Sequence, residues 1–161
     1  MLNTRSLLFL AQVHPTLTAR ICALSDVLDA AGITIQVTAG LRTAAEQDAL
    51  YAQGRTAPGK IVTNAQGFQS NHVIGCAVDV VPEDATGQAD WNPSHPSWTK
   101  IVALAPTYGL RDGKSWNDLP HLELVEVPPE PTEAIQELAK AEGIQAVWEE
   151  LSSLLPWLSL E

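Results

Sequence analysis

The sequence predicts an α+β fold: a small antiparallel sheet with helices packed around it, followed by a helical extension at the C terminus. Three features carry this. Residues 16–31 place Leu17, Ile21, Leu24, Val27 and Leu28 at helical spacing; residues 33–38 and 121–125 alternate apolar and polar side chains; and Pro128, Pro129 and Pro131 interrupt the chain before a second helical pattern begins.

Each element follows in order. The first helix ends before Gly32, and Ile33 to Thr38, with β-branched residues, reads as a half-buried strand closed by Gly40. Thr43-Ala44-Ala45-Glu46 has the capping-box pattern, in which hydroxyl and carboxylate satisfy the free amides at a helix start, so a second helix runs to Gln53 and stops at Gly54. From Gly54 to Ser70, Gly, Pro, Thr, Asn and Gln predominate, which predicts a long loop of the kind that usually serves function. A strand over 76–81 stops at Pro82, and a polar loop over 83–96 leads to a helix over 98–104. Tyr108-Gly109-Leu110 reads as a turn, and His121 to Val125 as the last strand. Thr132 caps a tail helix bearing Ile135, Leu138 and Ala139. After Gly143 a second apolar stretch carries Ile144, Val147, Trp148, Leu151, Leu154, Leu155, Trp157 and Leu158, enough apolar surface to expect packing back onto the domain. The expected organisation is a catalytic part over 1–128 and an extension over 129–161.

Composition narrows the function. A chain of 161 residues, 45% hydrophobic and 17% charged, with mean hydropathy near zero, is that of a globular domain able to bury a core. Nineteen acidic against nine basic residues give a net charge of −10, which argues against a nucleic-acid partner because Lys and Arg supply most of that affinity. No segment is long and apolar enough for a membrane span. The N-terminal run 6–11 is shorter than the core of a typical secretion signal. Cys22 and Cys76 are expected as free, buried thiols.

The chemistry concentrates in Ser70-Asn71-His72-Val73-Ile74-Gly75-Cys76-Ala77-Val78-Asp79, where an imidazole and a carboxylate flank a loop-to-strand transition. A catalytic zinc takes three protein ligands and keeps one position open for water. His121, at the start of the last strand, is the natural third, and Asp118, three positions upstream, suits a general acid or base. Taken singly, each has a plainer use: a structural histidine, a turn or cap aspartate, or, for Asp118, a cap before Pro120. His14 and His95, each before a proline, read as surface residues without a ligand role.

Three blocks resemble a known family. They are Gly40-Leu41-Arg42-Thr43 with Glu46-Gln47, Leu50-Tyr51 and Gln53-Gly54-Arg55-Thr56; Ser70-x-His72-x-x-Gly75-x-Ala77-x-Asp79; and Trp116-x-Asp118-x-Pro120-His121-x-Glu123. Over roughly residues 15–127 the chain resembles the peptidoglycan peptidases that include phage and bacterial L-alanyl-D-glutamate endopeptidases and, more distantly, D-alanyl-D-alanine carboxypeptidases. The resemblance implies a zinc ion held by His72, Asp79 and His121 at the sheet edge, with Asp118 as catalytic acid or base. It further implies that the substrate partner is bacterial peptidoglycan and that the L-Ala–D-Glu bond of the stem peptide is cut; Asp118 with Leu122-Glu123 departs from the carboxypeptidase branch, which carries Glu three before its last His.

Further roles attach to the same blocks. Arg42 is placed to bind a substrate carboxylate or a tetrahedral oxyanion, or else to form a structural ion pair. Ser70 is expected to bind substrate, to orient the site or to form a turn, and Glu123 to contact substrate or to support a ligand. Gly75 is expected to allow close backbone approach. Leu122 stands where the family usually has an aromatic, which bears on pocket shape. The other readings are a carboxypeptidase and a non-catalytic wall-binding module. Size and the lack of an evident leader lead to the expectation of a monomeric phage or prophage lysis enzyme, cytoplasmic until released to the wall.

Overall fold

The computed structural model describes residues 1–152, so Leu154, Leu155, Trp157 and Leu158 lie outside the described residues. The elements run α1 (Thr4–Leu10), α2 (Pro15–Ala30), β1 (Ile35–Ala39), α3 (Ala44–Ala52), β2 (Ala77–Pro82), α4 (Pro96–Leu104), β3 (Leu110–Gly113), β4 (Asp118–Leu124), α5 (Glu133–Glu142) and α6 (Ile144–Ser152), with short 3-10 turns at Gly67–Gln69, Ala105–Tyr108 and Lys114–Trp116. The α+β class with a small antiparallel sheet is borne out: β1, β2, β4 and β3 lie side by side in that order, every neighbouring pair antiparallel. Among the described residues no helix is long and apolar enough to cross a membrane.

The chain forms two compact units, residues 1–41 with 75–125, and 42–74 with 126 onward. In the first, α2 buries Leu17, Ile21, Leu24 and Leu28, one stripe of a helix. Sheet residues Ile35, Val37, Val78, Val80, Leu110, Leu122 and Leu124, at most 1% exposed, complete the core. Each such fully buried aliphatic contributes about 1.5–3 kcal/mol.

His14 and His95 depart from expectation. Each is the N-cap of a helix with proline at the first helical position: His14 Nδ1 accepts from the Thr16 amide at 3.1 Å, and His95 Nδ1 from the Ser97 amide at 3.3 Å. His14 is buried at 3% exposure, not a surface residue. An imidazole can take the capping part usually given to Ser or Asp, while proline needs no amide partner there.

Two elements were not foreseen. α1 forms where the N-terminal apolar run stands, and its buried Ser6 hydroxyl accepts from the Val37 amide at 2.8 Å, tying the helix to β1. β3 occupies what reads as a turn: Gly109 takes a left-handed φ of +66°, and four residues after it pair with β4.

In the second unit, the Thr43–Glu46 capping box forms as expected. Thr43 Oγ1 accepts from the Glu46 amide at 3.2 Å, and Glu46 Oε2 accepts from the Thr43 amide at 2.7 Å. The long loop holds itself by side chains. Gln47, 1% exposed, donates to Thr63 Oγ1 and the Ala65 carbonyl, and Arg55 donates to the Tyr51 and Thr63 carbonyls. Thr132 caps α5, accepting from the Ile135 amide, and the Trp148 indole of α6 donates to the Ile74 carbonyl at 2.7 Å.

Candidate metal centre

Asp79 and His121 are cross-strand partners on β2 and β4, and theirs is the last pair of the register between these strands. Direct partners in an antiparallel pair project to the same face, so an imidazole and a carboxylate meet without distortion: His121 Nδ1 lies 3.7 Å from Asp79 Oδ1. The site therefore sits where the inner ladder ends, rather than on an outer strand. Pro120 falls one residue beyond that ladder, where its missing amide costs no bond to β2.

His72 reaches the site from a turn. It stands seven residues before Asp79 in the tight segment that leads into β2 and is 2% exposed. The Ser70 hydroxyl accepts from the His72 amide at 3.3 Å, and the Arg42 amide donates to the His72 carbonyl at 3.1 Å, so the backbone on both sides of the ring is fixed. Gly75, at φ +70°, makes the left-handed bend that turns this segment into β2. One donor atom each from His72, Asp79 and His121 lie within 4.8 Å of one another, a spacing that a single ion can span.

The second ring nitrogen of His121 tests whether the set fits a metal. Nε2 hydrogen-bonds Glu123 Oε2 at 3.0 Å, leaving Nδ1 on the side of Asp79. A ligating histidine normally gives its other N–H to a carboxylate, which fixes tautomer and ring plane, and this is that arrangement. Two imidazoles and a carboxylate form the hard, nitrogen- and oxygen-rich set that zinc accepts. Burial favours a neutral His121, but the hydrogen bonds and negative charges of Asp79 and Glu123 outweigh it and raise its pKa to about 9, so the pocket is built to hold positive charge.

The other expected site residues fall as follows. Asp118 opens β4, half-buried. Three residues apart on a regular strand would put it on the face opposite His121, but the β3–β4 register slips between Asp112, paired with Leu122, and Gly113, paired with Asp118. The slip brings Asp118 and His121 each up against Gly113. A Cβ placed there would stand 3.1 Å from Asp118 Cβ and 2.9 Å from His121 Cβ, and would overlap the Asp118 carbonyl oxygen. Arg42 is half-buried with Nη1 3.4 Å from Gln47 Oε1. Glu123, 1% exposed, spends its carboxylate on His121 and on Arg111, whose Nη1 lies 2.6 Å away, so its position fits support of a ligand rather than contact with substrate. Trp116, 46% exposed, stands edge-on to His121 with ring centroids 5.9 Å apart.

Gly113 and Arg111 were not singled out from sequence. Both belong to the strand that reads as a turn, and Asp112-Gly113 carries an ordinary turn signal, so nothing short of the strand register shows what they face. Cys76, fully buried, has its thiol pushed up to about 12, by burial first and then by the Glu123 charge; it is a core residue, not a thiolate ligand. Cys22 is half-buried and also unbridged.

The site thus points to a class: two histidines and an aspartate that could share one ion, with a further aspartate, Asp118, close by in the chain, form the kind of donor set a metal-dependent hydrolase uses. Comparison with known proteins places it more narrowly. The profile of a peptidase family described as D-alanyl-D-alanine carboxypeptidase matches residues 63–124. The chain is 34% identical over 125 residues to the peptidoglycan L-alanyl-D-glutamate endopeptidase CwlK of Bacillus subtilis (strain 168), covering 71% of this chain and 75% of that protein. Among solved structures it is similar to the L-Ala D-Glu endopeptidase ChiX of Serratia marcescens, at 26% identity and a TM-score of 0.58, covering 77% of this chain and 90% of that one. It is also similar to the LD-carboxypeptidase LdcB, at 25% identity and a TM-score of 0.53, covering 70% and 65%. The chain belongs to this family of zinc peptidoglycan peptidases and is a metallopeptidase.

Proposed function

We propose that the chain cuts the amide between L-Ala and D-Glu in peptidoglycan stem peptides, with His72, Asp79 and His121 as the zinc ligands. The observation that carries this is the convergence of those three side chains, one donor atom each within 4.8 Å of the others, with the half-buried Asp118 and His121 both standing beside Gly113. The choice of bond is supported by CwlK and ChiX, both named for that cleavage.

Zinc, when bound, polarises the scissile carbonyl and lowers the pKa of a bound water towards ~7. The rest is the work of the chain's own groups. Asp118 accepts the proton of the attacking water and hands it to the departing amine, a transfer typically worth about 10²–10⁴ in rate. Arg42 holds a substrate carboxylate or the oxyanion, for which a guanidinium supplies two parallel donors. Ser70 keeps the His72 turn in shape, and Glu123 keeps the His121 ring in its plane. In the same reading residues 1–128 are the catalytic part, with 129–161 an extension packed on it, as the Trp148 bond to Ile74 supports.

Mass spectrometry of digested peptidoglycan tests the proposal. New N-terminal D-Glu is expected, abolished by a chelator. Release of free D-Ala instead would establish the carboxypeptidase reading, which the family profile's description favours. The proposal extends to a monomeric lysis enzyme of phage or prophage, held in the cytoplasm until a membrane pore admits it to the wall. Producing cells should then stay intact until permeabilised, and lysis without permeabilisation would contradict this part.

A further inference from the structure

A line of polar side chains crosses three strands on one face of the sheet: Asp79 on β2, His121 and Glu123 on β4, and Arg111 on β3. Asp79 pairs with His121, and Arg111 with Glu123, in direct register. Glu123 bridges the middle, with Oε2 on His121 Nε2 at 3.0 Å and Oε1 on Arg111 Nη1 at 2.6 Å. Arg111 is itself pinned twice to the same strand and its continuation, since Nη2 also donates to the Val125 carbonyl at 2.8 Å.

The burial of Glu123 gives this line its meaning. A carboxylate 1% exposed needs a cation, or it is strongly disfavoured. A histidine that ligates a metal does so as a neutral ring, so His121 cannot be that cation while it serves as a ligand. Arg111, whose side chain is 27% exposed and so partly solvated, can be. Its planar fork also fixes direction: a carboxylate held at Oε1 by a guanidinium that is anchored elsewhere presents Oε2 along one line, and His121 must turn its ring to meet it.

We propose that Arg111 is a positioning residue of the metal centre: on an outer strand and away from the ion, it clamps Glu123 and thereby sets the ring plane of His121. This rests on the reading of His121 as a zinc ligand, and deepens it.

The test is zinc affinity by competition with a chromophoric chelator, together with the visible spectrum of the cobalt-substituted protein, which reports ligand geometry without catalysis. Arg111→Met should weaken zinc binding by about 10–100-fold, the range for loss of a group that orients a ligand, and should shift the cobalt bands. Arg111→Lys keeps the charge but cannot serve Glu123 and Val125 together, so it should fall between; it carries the test should Arg111→Met fail to fold. In a Glu123→Gln background, Arg111→Met should add nothing, because the effect runs through Glu123. Arg5→Met, which removes an arginine over the Phe9 ring, should leave affinity unchanged. Native affinity and spectrum in either Arg111 variant, or additive losses in the double variant, would overturn the inference. If the native protein itself binds no zinc, the underlying reading fails instead, and the two failures are told apart by the native control.

Discussion

The two faces of the sheet in the first unit differ most where β2, β4 and β3 meet. One presents Ile35, Val37, Val78, Val80, Leu110, Leu122 and Leu124, all at most 1% exposed; the other carries Asp79, His121, Glu123 and Arg111 along adjacent strands. Because side chains alternate along a regular strand, neighbours one residue apart face opposite ways: Leu122 packs into the core while His121 and Glu123, on either side of it, face the candidate metal centre. Stability and activity are therefore separable by substitution on this sheet, residue by residue.

The sharpest break of that separation is at the ligands. His121→Ala should remove metal and wall hydrolysis together, with turbidity of a peptidoglycan suspension falling no faster than in the blank, while circular dichroism keeps the sheet signal. Asp118→Asn should lower the hydrolysis rate by about 10²–10⁴ and leave zinc stoichiometry intact; an unaffected rate would take Asp118 out of the mechanism. On the other face the effect reverses. Leu122→Ala should cost about 2–5 kcal/mol in denaturant unfolding, yet leave zinc content and the specific activity of the folded protein unchanged.

Gly113 is where the two properties should fail to separate. Gly113→Ala forces a methyl group against the Asp118 carbonyl and His121 Cβ, so it should lose about 1–3 kcal/mol and also slow hydrolysis, measurable on one preparation by melting and by turbidity.

These positions also show how far the chain could be read unaided. The Thr43–Glu46 box and the Thr132 cap were legible because they depend on neighbours three residues apart, and the chain itself specifies those distances. His72, Asp79 and His121 stood out by residue type and by the blocks around them. β3 was not legible: four residues between Gly109 and Gly113, with an Asp-Gly pair at the end, carry a turn's signature, and only pairing with β4 makes them a strand. Arg111 and Gly113 were lost with it. α1 escaped notice because its fixing contact, Ser6 to Val37, spans thirty-one positions. The histidine caps were missed because His is an uncommon residue for that place, although both precede a proline.

The smallest effect expected is a titration. The folded-state pKa of His121 is raised from its ordinary 6.5 to about 9, so in the metal-free protein this group's stabilisation is fully present below about pH 6.5 and is lost as pH rises through about 9. The melting temperature of the metal-free protein should therefore drop over that window. Zinc must displace the same proton, so calorimetric titration at pH 7 in buffers of different ionisation enthalpy should show proton release, and the His121→Ala variant should not.

Metal stoichiometry in four proteins tests the three-ligand centre most directly: the native chain and the single variants His72→Ala, Asp79→Ala and His121→Ala, each loaded with zinc, desalted and assayed by atomic absorption. The native protein should retain one zinc per chain and each variant should lose it. Retention of a full equivalent by any one of the three, or its absence from the native protein, would contradict the three-ligand centre.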